Sequence, residues 1–257
     1  MRWDPSQYAR FGDERGRPFM DLVARIDHRG PRRVIDLGCG PANLTALLAQ
    51  RWPDALVEGI DSSPEMIERA SSLATPRLSF RLADVAGWQL TPDIDVVVSN
   101  ATLQWVPTHL DLLGRWAAEL APGAWLAFQV PGNFEAPSHT LMRELATSAR
   151  WRTALGDVLR HHDSVRTPET YARLLLDAGL LVDVWETSYL HQLTGEDPVL
   201  EWVRGTGLRP VLSALSAQDG AEFEHTYAHL LREAYPSSAH GTLFEFRRIF
   251  AVANRPA

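Results

Sequence analysis

The chain contains no lysine: all 25 of its basic side chains are arginine. That absence excludes a lysine Schiff base, a lysine nucleophile or general base, and the phosphate-gripping lysine of a P-loop. Cysteine is nearly absent as well. Cys39 is the only one in 257 residues, so no intrachain disulfide can form, which suits a reducing compartment. No apolar run reaches the roughly 18 residues that a membrane helix requires, and the start Met1-Arg2-Trp3-Asp4-Pro5 lacks the apolar core of a secretion signal. Basic runs are missing too. With 25 basic against 32 acidic side chains the net charge is −7, which argues against nucleic acid or an anionic membrane as a main partner. These absences together predict a cytoplasmic protein that acts on something small. The missing lysine itself has two readings that do not exclude each other: a genome that avoids lysine codons, or arginines kept at particular positions as bidentate clamps for carboxylates.

A hydrophobic fraction of 45% is ample for a core. The first half alternates short apolar runs with helical patterns. Strands are predicted at Arg33–Leu37, Ala55–Ile60, Leu78–Leu82, Ile94–Ser99 and Trp125–Val130. Helices are predicted at Pro41–Trp52, from Pro64 behind a Ser63 cap, and at Leu110–Leu120. Strand and helix in alternation at this spacing mean βαβ units on a parallel sheet. Further on, Pro168–Ala178 reads as a helix closed by Gly179, Leu180–Thr187 as a strand and Thr242–Ala253 as another. Glu196–Tyr235 reads as helices broken at Gly205, Gly207, Pro210 and Gly220. The simplest arrangement is one domain over 1–257, with a ligand-binding core at 30–135 and a helical cap inserted at 190–242 over the open sheet edge.

Val34-Ile35-Asp36-Leu37-Gly38-Cys39-Gly40 is a strand feeding a glycine turn. In an open α/β sheet that crevice binds ligands. A dinucleotide fingerprint wants a third glycine at 43, where this chain has Asn43. Asp36 would also set a carboxylate against a pyrophosphate. The same carboxylate favours a cation, and S-adenosylmethionine carries an ammonium and a sulfonium and no phosphate. Asp61 ends the second strand 21 residues past Gly40, where a carboxylate accepts from ribose hydroxyls. Asp84 ends the third strand, suited to the adenine amine, with the Val85 amide beside it. Asn100 and Ala101 end the fourth. Taken singly, Asp61 and Asp84 also read as turn or N-cap residues, whereas a carboxylate at a buried strand end such as Asp36 needs a partner. Cys39 reads as a small filler of the turn. His225 and His229 stand at i, i+4 but lack a third ligand nearby, so no metal site is expected, and His161-His162 reads as a loop pair.

These pieces make the chain resemble the class I S-adenosylmethionine-dependent methyltransferases, and more narrowly the trans-aconitate 2-methyltransferase family. The resemblance is carried by Trp3 to Tyr8, Glu14 to Pro18, the Asp36–Asn43 loop, Gly59 to Met66, Ser99 to Val106, Gln129 to Asn133, Pro137 to Glu144, Tyr189 to Gln192 and Glu201 to Pro210. It departs at Ala42, where the family has a third glycine and a methyl narrows the loop. It implies a Rossmann-like fold, a mostly parallel seven-stranded sheet with an antiparallel last strand and a helical cap. It implies S-adenosylmethionine held by Asp36, Gly38, Gly40, Asn43, Asp61, Ser62, Met66, Asp84, Val85, Asn100 and Ala101. The implied reaction esterifies one carboxylate of a small polycarboxylic acid, with trans-aconitate foremost. No catalytic base is then required, and Gln104 and Trp105 are the residues expected nearest the methyl.

A tricarboxylate carries about −3 at neutral pH, so an acidic protein must hold it in a local cationic pocket, and here arginine must supply the charge. Arg204 and Arg209 flank the break in the cap; Arg17 and Arg247 are further candidates. Tyr189, His191, Gln192 and Trp202 are expected at the base of the cap, Trp202 alternatively as core. Two other readings stand beside this one: the same fold with another small-molecule acceptor, and a catalytically silent S-adenosylmethionine-binding protein. Asn100-Ala101 in place of an Asn-Pro-Pro-Tyr-like motif speaks against nucleic-acid methylation.

Overall fold

The computed structural model describes residues 12–156, 158–159 and 164–257. The Trp3–Tyr8 motif and the His161-His162 pair lie outside the described residues.

Seven strands form one sheet: β1 Arg33–Leu37, β2 Leu56–Asp61, β3 Leu78–Leu82, β4 Val96–Asn100, β5 Trp125–Pro131, β6 Leu181–Leu193 and β7 Thr242–Asn254, in the spatial order β3-β2-β1-β4-β5-β7-β6. The β3-β2-β1-β4-β5 pairs are all parallel. As β5 and its flanks run from Gly123 to Gly132, the partner residue falls from Arg255 to Arg247, so β7 runs antiparallel to β5. The order reverses between β1 and β4, and a crevice opens beside the carboxyl end of the strand where this happens. The apolar runs are buried as central parallel strands require: β1 is buried at four of its five positions and β4 likewise.

The crossover helices are α1 Gly12–Ala24, α2 Thr45–Arg51, α3 Pro64–Ser71, α4 His109–Glu119 and α7 Pro168–Asp177. Ser63 caps α3 by accepting from the Met66 amide, with Pro64 in the first turn, as predicted. Gly179, at φ 78°, closes α7: its N–H donates to Leu176 O and that of Leu180 to Leu175 O, the paired bonds of a Schellman end.

The chain divides into two compact units. One takes the described chain up to Val130 with Arg166–Glu186 and Arg248–Ala257; the other takes Pro131–Val165 and Thr187–Arg247. The second unit contains α5 Pro137–Thr147, α6 Arg152–Leu155, α8 Pro198–Arg204, α9 Arg209–Ala214 and α10 Ala217–Ala234. Around α5 and α10 it has its own interior, with Trp202, Tyr227, Phe223 and Phe244 fully buried.

Several expectations change. The helix after the glycine loop starts at Thr45, not Pro41, because Gly40 and Ala42 both take left-handed φ, 54° and 68°, and no helix passes through that conformation. β6 runs on to Leu193, since the alternation continues through buried Tyr189, His191 and Leu193. The second unit is larger than the predicted insertion: it also takes 131–165, where α5 was not foreseen. Pro210 and Gly220 are not breaks. Pro210 occupies the first turn of α9, where its missing N–H costs nothing, and Gly220 sits inside the opening of α10, its N–H bonded to Ser216 O.

Candidate active site

In the first unit the carboxyl ends of β1 and β4 meet at a cavity of about 160 Å³ walled by Asp36, Gly38, Gly40, Asn43 and Asn100, with Phe19 of α1 also in its lining. The loop is held open by backbone geometry. Gly38 (φ 81°) donates its N–H to Ile60 O at 2.7 Å, and a Cβ there would stand 1.9 Å from Thr102 Oγ1. Only a glycine lets the β1 turn and the segment after β4 approach so closely. At Gly40 (φ 54°) a Cβ would meet nothing within 4 Å, so this glycine is required by conformation, not crowding.

The three predicted carboxylates hold this edge together. Asp36 is buried, 3% exposed, and Thr45 Oγ1 donates to its Oδ2 at 2.6 Å. Burial pushes its pKa up to about 6; the Thr45 bond opposes that rise and the nearby Asp61 carboxylate adds to it. Asp61 accepts the Gly40 N–H on one oxygen and the Ser63 N–H on the other, both at 2.9 Å. Ala83 N–H donates to Asp61 O, which brings the end of β3 alongside. Next to it Asp84 caps the turn Val85–Gly87 by accepting from the Ala86 amide at 2.8 Å. Each carboxylate oxygen keeps a lone pair for a further donor. Ser62 is exposed, Met66 half-buried and Val85 buried.

Asn100 contributes a buried Oδ1 with no hydrogen-bond partner among the described residues. Ala101 follows at φ 55°, so both non-glycine residues with left-handed φ among the described residues, Ala42 and Ala101, lie at this crevice. Backbone strain of that kind gathers at ligand sites. Gln104 is buried and donates Nε2 to Ala101 O at 2.5 Å, while Trp105 is 48% exposed. Cys39, buried beside Asp36 and Asp61, has its thiol pKa pushed well up, first by burial and then by the two carboxylates; it is a filler, not a nucleophile.

This donor and acceptor set fits S-adenosylmethionine. An orphaned buried carbonyl at Asn100 and the ionisable Asp36 match an ammonium and a sulfonium. Among the described residues no basic side chain lines the cavity to hold a phosphate. The cavity is smaller than the roughly 300 Å³ of a drug-sized pocket, so it suits the amino-acid end of the cofactor, with Asp61 and Asp84 at strand ends beyond it. Thr45, Phe19 and Leu44 were not predicted. A hydroxyl in the first helical turn after Asp36 was the available signal for Thr45; the other two carry no chemical signal.

The acceptor candidates fare unevenly. Arg17 is exposed on α1. Arg204 is engaged by two glutamates: Glu224 accepts from its Nε at 2.6 Å and Glu201 from its Nη1. Arg209 is exposed at the start of α9. Tyr189, His191 and Trp202 are 2–7% exposed, with His191 and Trp202 ring centroids 4.7 Å apart and Trp202 against Phe244 and Phe246. They build the aromatic core of the second unit. Gln192 donates Nε2 to His240 O. Arg247 lines a cavity within the second unit, about 400 Å³, with Asn133, Glu135, Tyr235 and Glu245. Its N–H donates to Asn133 Oδ1 at 2.5 Å and its Nη1 to Gly132 O at 3.3 Å. His229 pairs with Glu233 at 3.6 Å, and no cluster of three metal-ligating side chains occurs among the described residues.

Strand order, glycine turn and acidic strand ends together define a class I S-adenosylmethionine-dependent methyltransferase. A family model described as a methyltransferase domain matches residues 8–183. Phosphoethanolamine N-methyltransferase 2 of Haemonchus contortus, solved with S-adenosyl-L-methionine, superposes with a TM-score of 0.55 over 94% of this chain at 15% identity. The chain spans 53% of that protein's length, and the likeness concerns the fold alone. Two curated relatives match almost end to end. The trans-aconitate 2-methyltransferase of Streptomyces avermitilis is 56% identical over 99% of this chain and 97% of its own length. That of Rhodococcus jostii is 57% identical over 98% of both. The chain belongs to the trans-aconitate 2-methyltransferase family.

Proposed function

We propose that this enzyme transfers the methyl group of S-adenosylmethionine to a carboxylate oxygen of a small polycarboxylic acid, trans-aconitate before others, releasing the monomethyl ester. The observation that carries this reading is full-length identity of 56–57% to relatives that bear that name. It is supported by a crevice whose charged wall residue, Asp36, suits a cation.

The cofactor, when bound, supplies an electrophilic methyl group on a cationic sulfur. Asp36 and the Asn100 carbonyl face its positive end. Gly38, Gly40 and Asn43 let the backbone approach, and Asp61 with Ser62 and Met66 takes the ribose. Asp84, Val85 and Ala101 complete its binding. The acceptor needs no general base, because a carboxylate is ionised far below pH 7. No side chain is therefore assigned a proton transfer. The work is alignment of oxygen, methyl carbon and sulfur and removal of water from the attacking oxygen, and alignment can supply roughly 7–11 kcal/mol of the barrier. Gln104, fixed by its bond to Ala101 O, and Trp105 border the place of reaction. The second unit carries acceptor recognition, with Arg247 as its cation.

Purified protein incubated with methyl-labelled cofactor and trans-aconitate is expected to give a labelled monomethyl ester. Cofactor binding without labelled ester from any di- or tricarboxylate would sink the acceptor assignment and leave the fold and cofactor site standing.

A further inference from the structure

We infer that Arg143 is a second carboxylate-binding residue of the acceptor pocket, and that Glu135 stands in for the acceptor's carboxylate on it while the pocket is empty. The inference rests on the polycarboxylate reading above and names the groups that would recognise such an acid.

Both residues belong to the second unit. Glu135 closes the 3-10 turn Asn133–Glu135 after β5, and Arg143 lies on α5. Glu135 is one of the residues that line the 400 Å³ cavity also containing Arg247; Arg143 is not among them and meets the cavity wall through Glu135. Arg143 Nη2 stands 3.6 Å from Glu135 Oε1, within Coulomb range but too far for a hydrogen bond. The two partners are unequally placed. The Arg143 side chain is only 22% exposed, whereas that of Glu135 is 71% exposed. Among the described residues the Arg143 guanidinium makes no hydrogen bond. It is thus partly desolvated and presents five N–H donors in a planar fork.

Three other arginines of the second unit differ. Arg204 donates to Glu224 and Glu201, Arg150 to Asp219 and Glu222, and Arg232 to both oxygens of Asp197. Their forks are filled. Arg143 has instead one loose, well-hydrated carboxylate at the wall of a cavity large enough for a six-carbon acid. An incoming carboxylate that makes two parallel N–H···O bonds to the fork displaces such a partner readily. Glu135 then swings into water, which removes a like charge from the wall as the anion enters. In the free enzyme it spares Arg143 an uncompensated charge. Asn133 is held by the Arg247 amide and fixes the spacing between the turn and β7.

Three substitutions, two at Arg143 and one of opposite expected effect at Glu135, test this on the full chain, with acceptor KM, kcat and cofactor Kd read together. Arg143→Gln is expected to raise the tricarboxylate KM roughly tenfold or more, the loss of a charge-assisted bidentate contact, with cofactor Kd unchanged. Arg143→Lys is expected to fall between, because a lysine cannot form the fork. Glu135→Gln is expected to lower the KM about threefold or more and to flatten the preference between tricarboxylate and dicarboxylate, since the competing charge is gone. An unchanged KM in Arg143→Gln, or a raised KM in Glu135→Gln, overturns the inference while wild-type turnover keeps the acceptor reading intact. Wild-type protein that makes no ester from any polycarboxylate overturns that reading and this inference with it.

Discussion

Thr45 Oγ1 donates to Asp36 Oδ2 at 2.6 Å, and burial has pushed that carboxylate to a pKa of about 6. The pair ties the first turn of α2 to the end of β1 and fixes a poorly solvated acid in the cavity wall. Such a carboxylate is unfavourable in the empty protein and becomes favourable only when a cation stands against it.

Removing that charge should therefore stabilise the cofactor-free protein. In the unfolded chain the carboxyl titrates near its ordinary 3.8. Between that value and about 6 the folded protein keeps the proton that the unfolded chain has released, so stability falls as pH rises through this window. By pH 7 the difference amounts to about 3 kcal/mol, at roughly 1.4 kcal/mol per pH unit. Asp36→Asn keeps the acceptor for Thr45 without the charge. Its urea midpoint should exceed wild type at pH 7, and the gap should close toward pH 4. Cofactor affinity should fall at least tenfold in the same variant. A variant less stable than wild type at pH 7 would show that Asp36 is a structural anchor instead.

The two glycines of the loop should respond differently to alanine. At Gly38 a methyl carbon would overlap Thr102, with Oγ1, Cγ2 and Cβ all within 2.6 Å, so Gly38→Ala should lose more than about 3 kcal/mol or fail to fold. At Gly40 the space is open and only the left-handed conformation is penalised, about 1–2 kcal/mol. Gly40→Ala should fold, melt a few degrees lower and bind cofactor less well. Equal losses at the two positions would contradict the close approach of the β4 end to Gly38.

How much of this was legible depended on how local the cause was. β1 and β3 were read to the residue because an apolar run between polar flanks is a local pattern. The Ser63 cap with Pro64 was equally local. The shared edge of Asp36, Asp61 and Asp84 was readable because the ends of successive strands are brought together by the βαβ topology alone. The start of α2 was missed because Ala42 carries no mark of a left-handed residue. The surroundings of Trp202 and Arg204 were not legible because they depend on partners far along the chain: Phe244 and Phe246 for one, Glu224 for the other. The 400 Å³ cavity joins the turn after β5 to the start of β7, more than 100 residues away, and no sequence pattern announces that.

The thiol of Cys39 should be inert in the native protein. It is 7% exposed and its pKa is raised by burial and by Asp36 and Asp61, so the thiolate population at pH 8 is negligible. Iodoacetamide at pH 8 should leave the native chain unmodified by intact mass, and full alkylation should appear in urea. Rapid native labelling would mean that the loop opens on the timescale of the reaction.

Arg204 should contribute little to the acceptor site. Its guanidinium is held by Glu224 and Glu201, with side-chain exposures of 41%, 23% and 54% for Arg204, Glu224 and Glu201. Partly exposed pairs of this kind add up to about 1 kcal/mol of stability. An acceptor carboxylate would have to displace two intramolecular ones to use this arginine, whereas Arg143 offers an unfilled fork. Arg204→Ala should accordingly lower stability by no more than about 1 kcal/mol and leave acceptor KM within twofold of wild type. Arg247→Ala, at the cavity wall, should raise that KM by roughly tenfold. If Arg204→Ala raised KM as far as Arg247→Ala does, the ion pairs with Glu224 and Glu201 must open on acceptor binding, and the pocket would extend to α8.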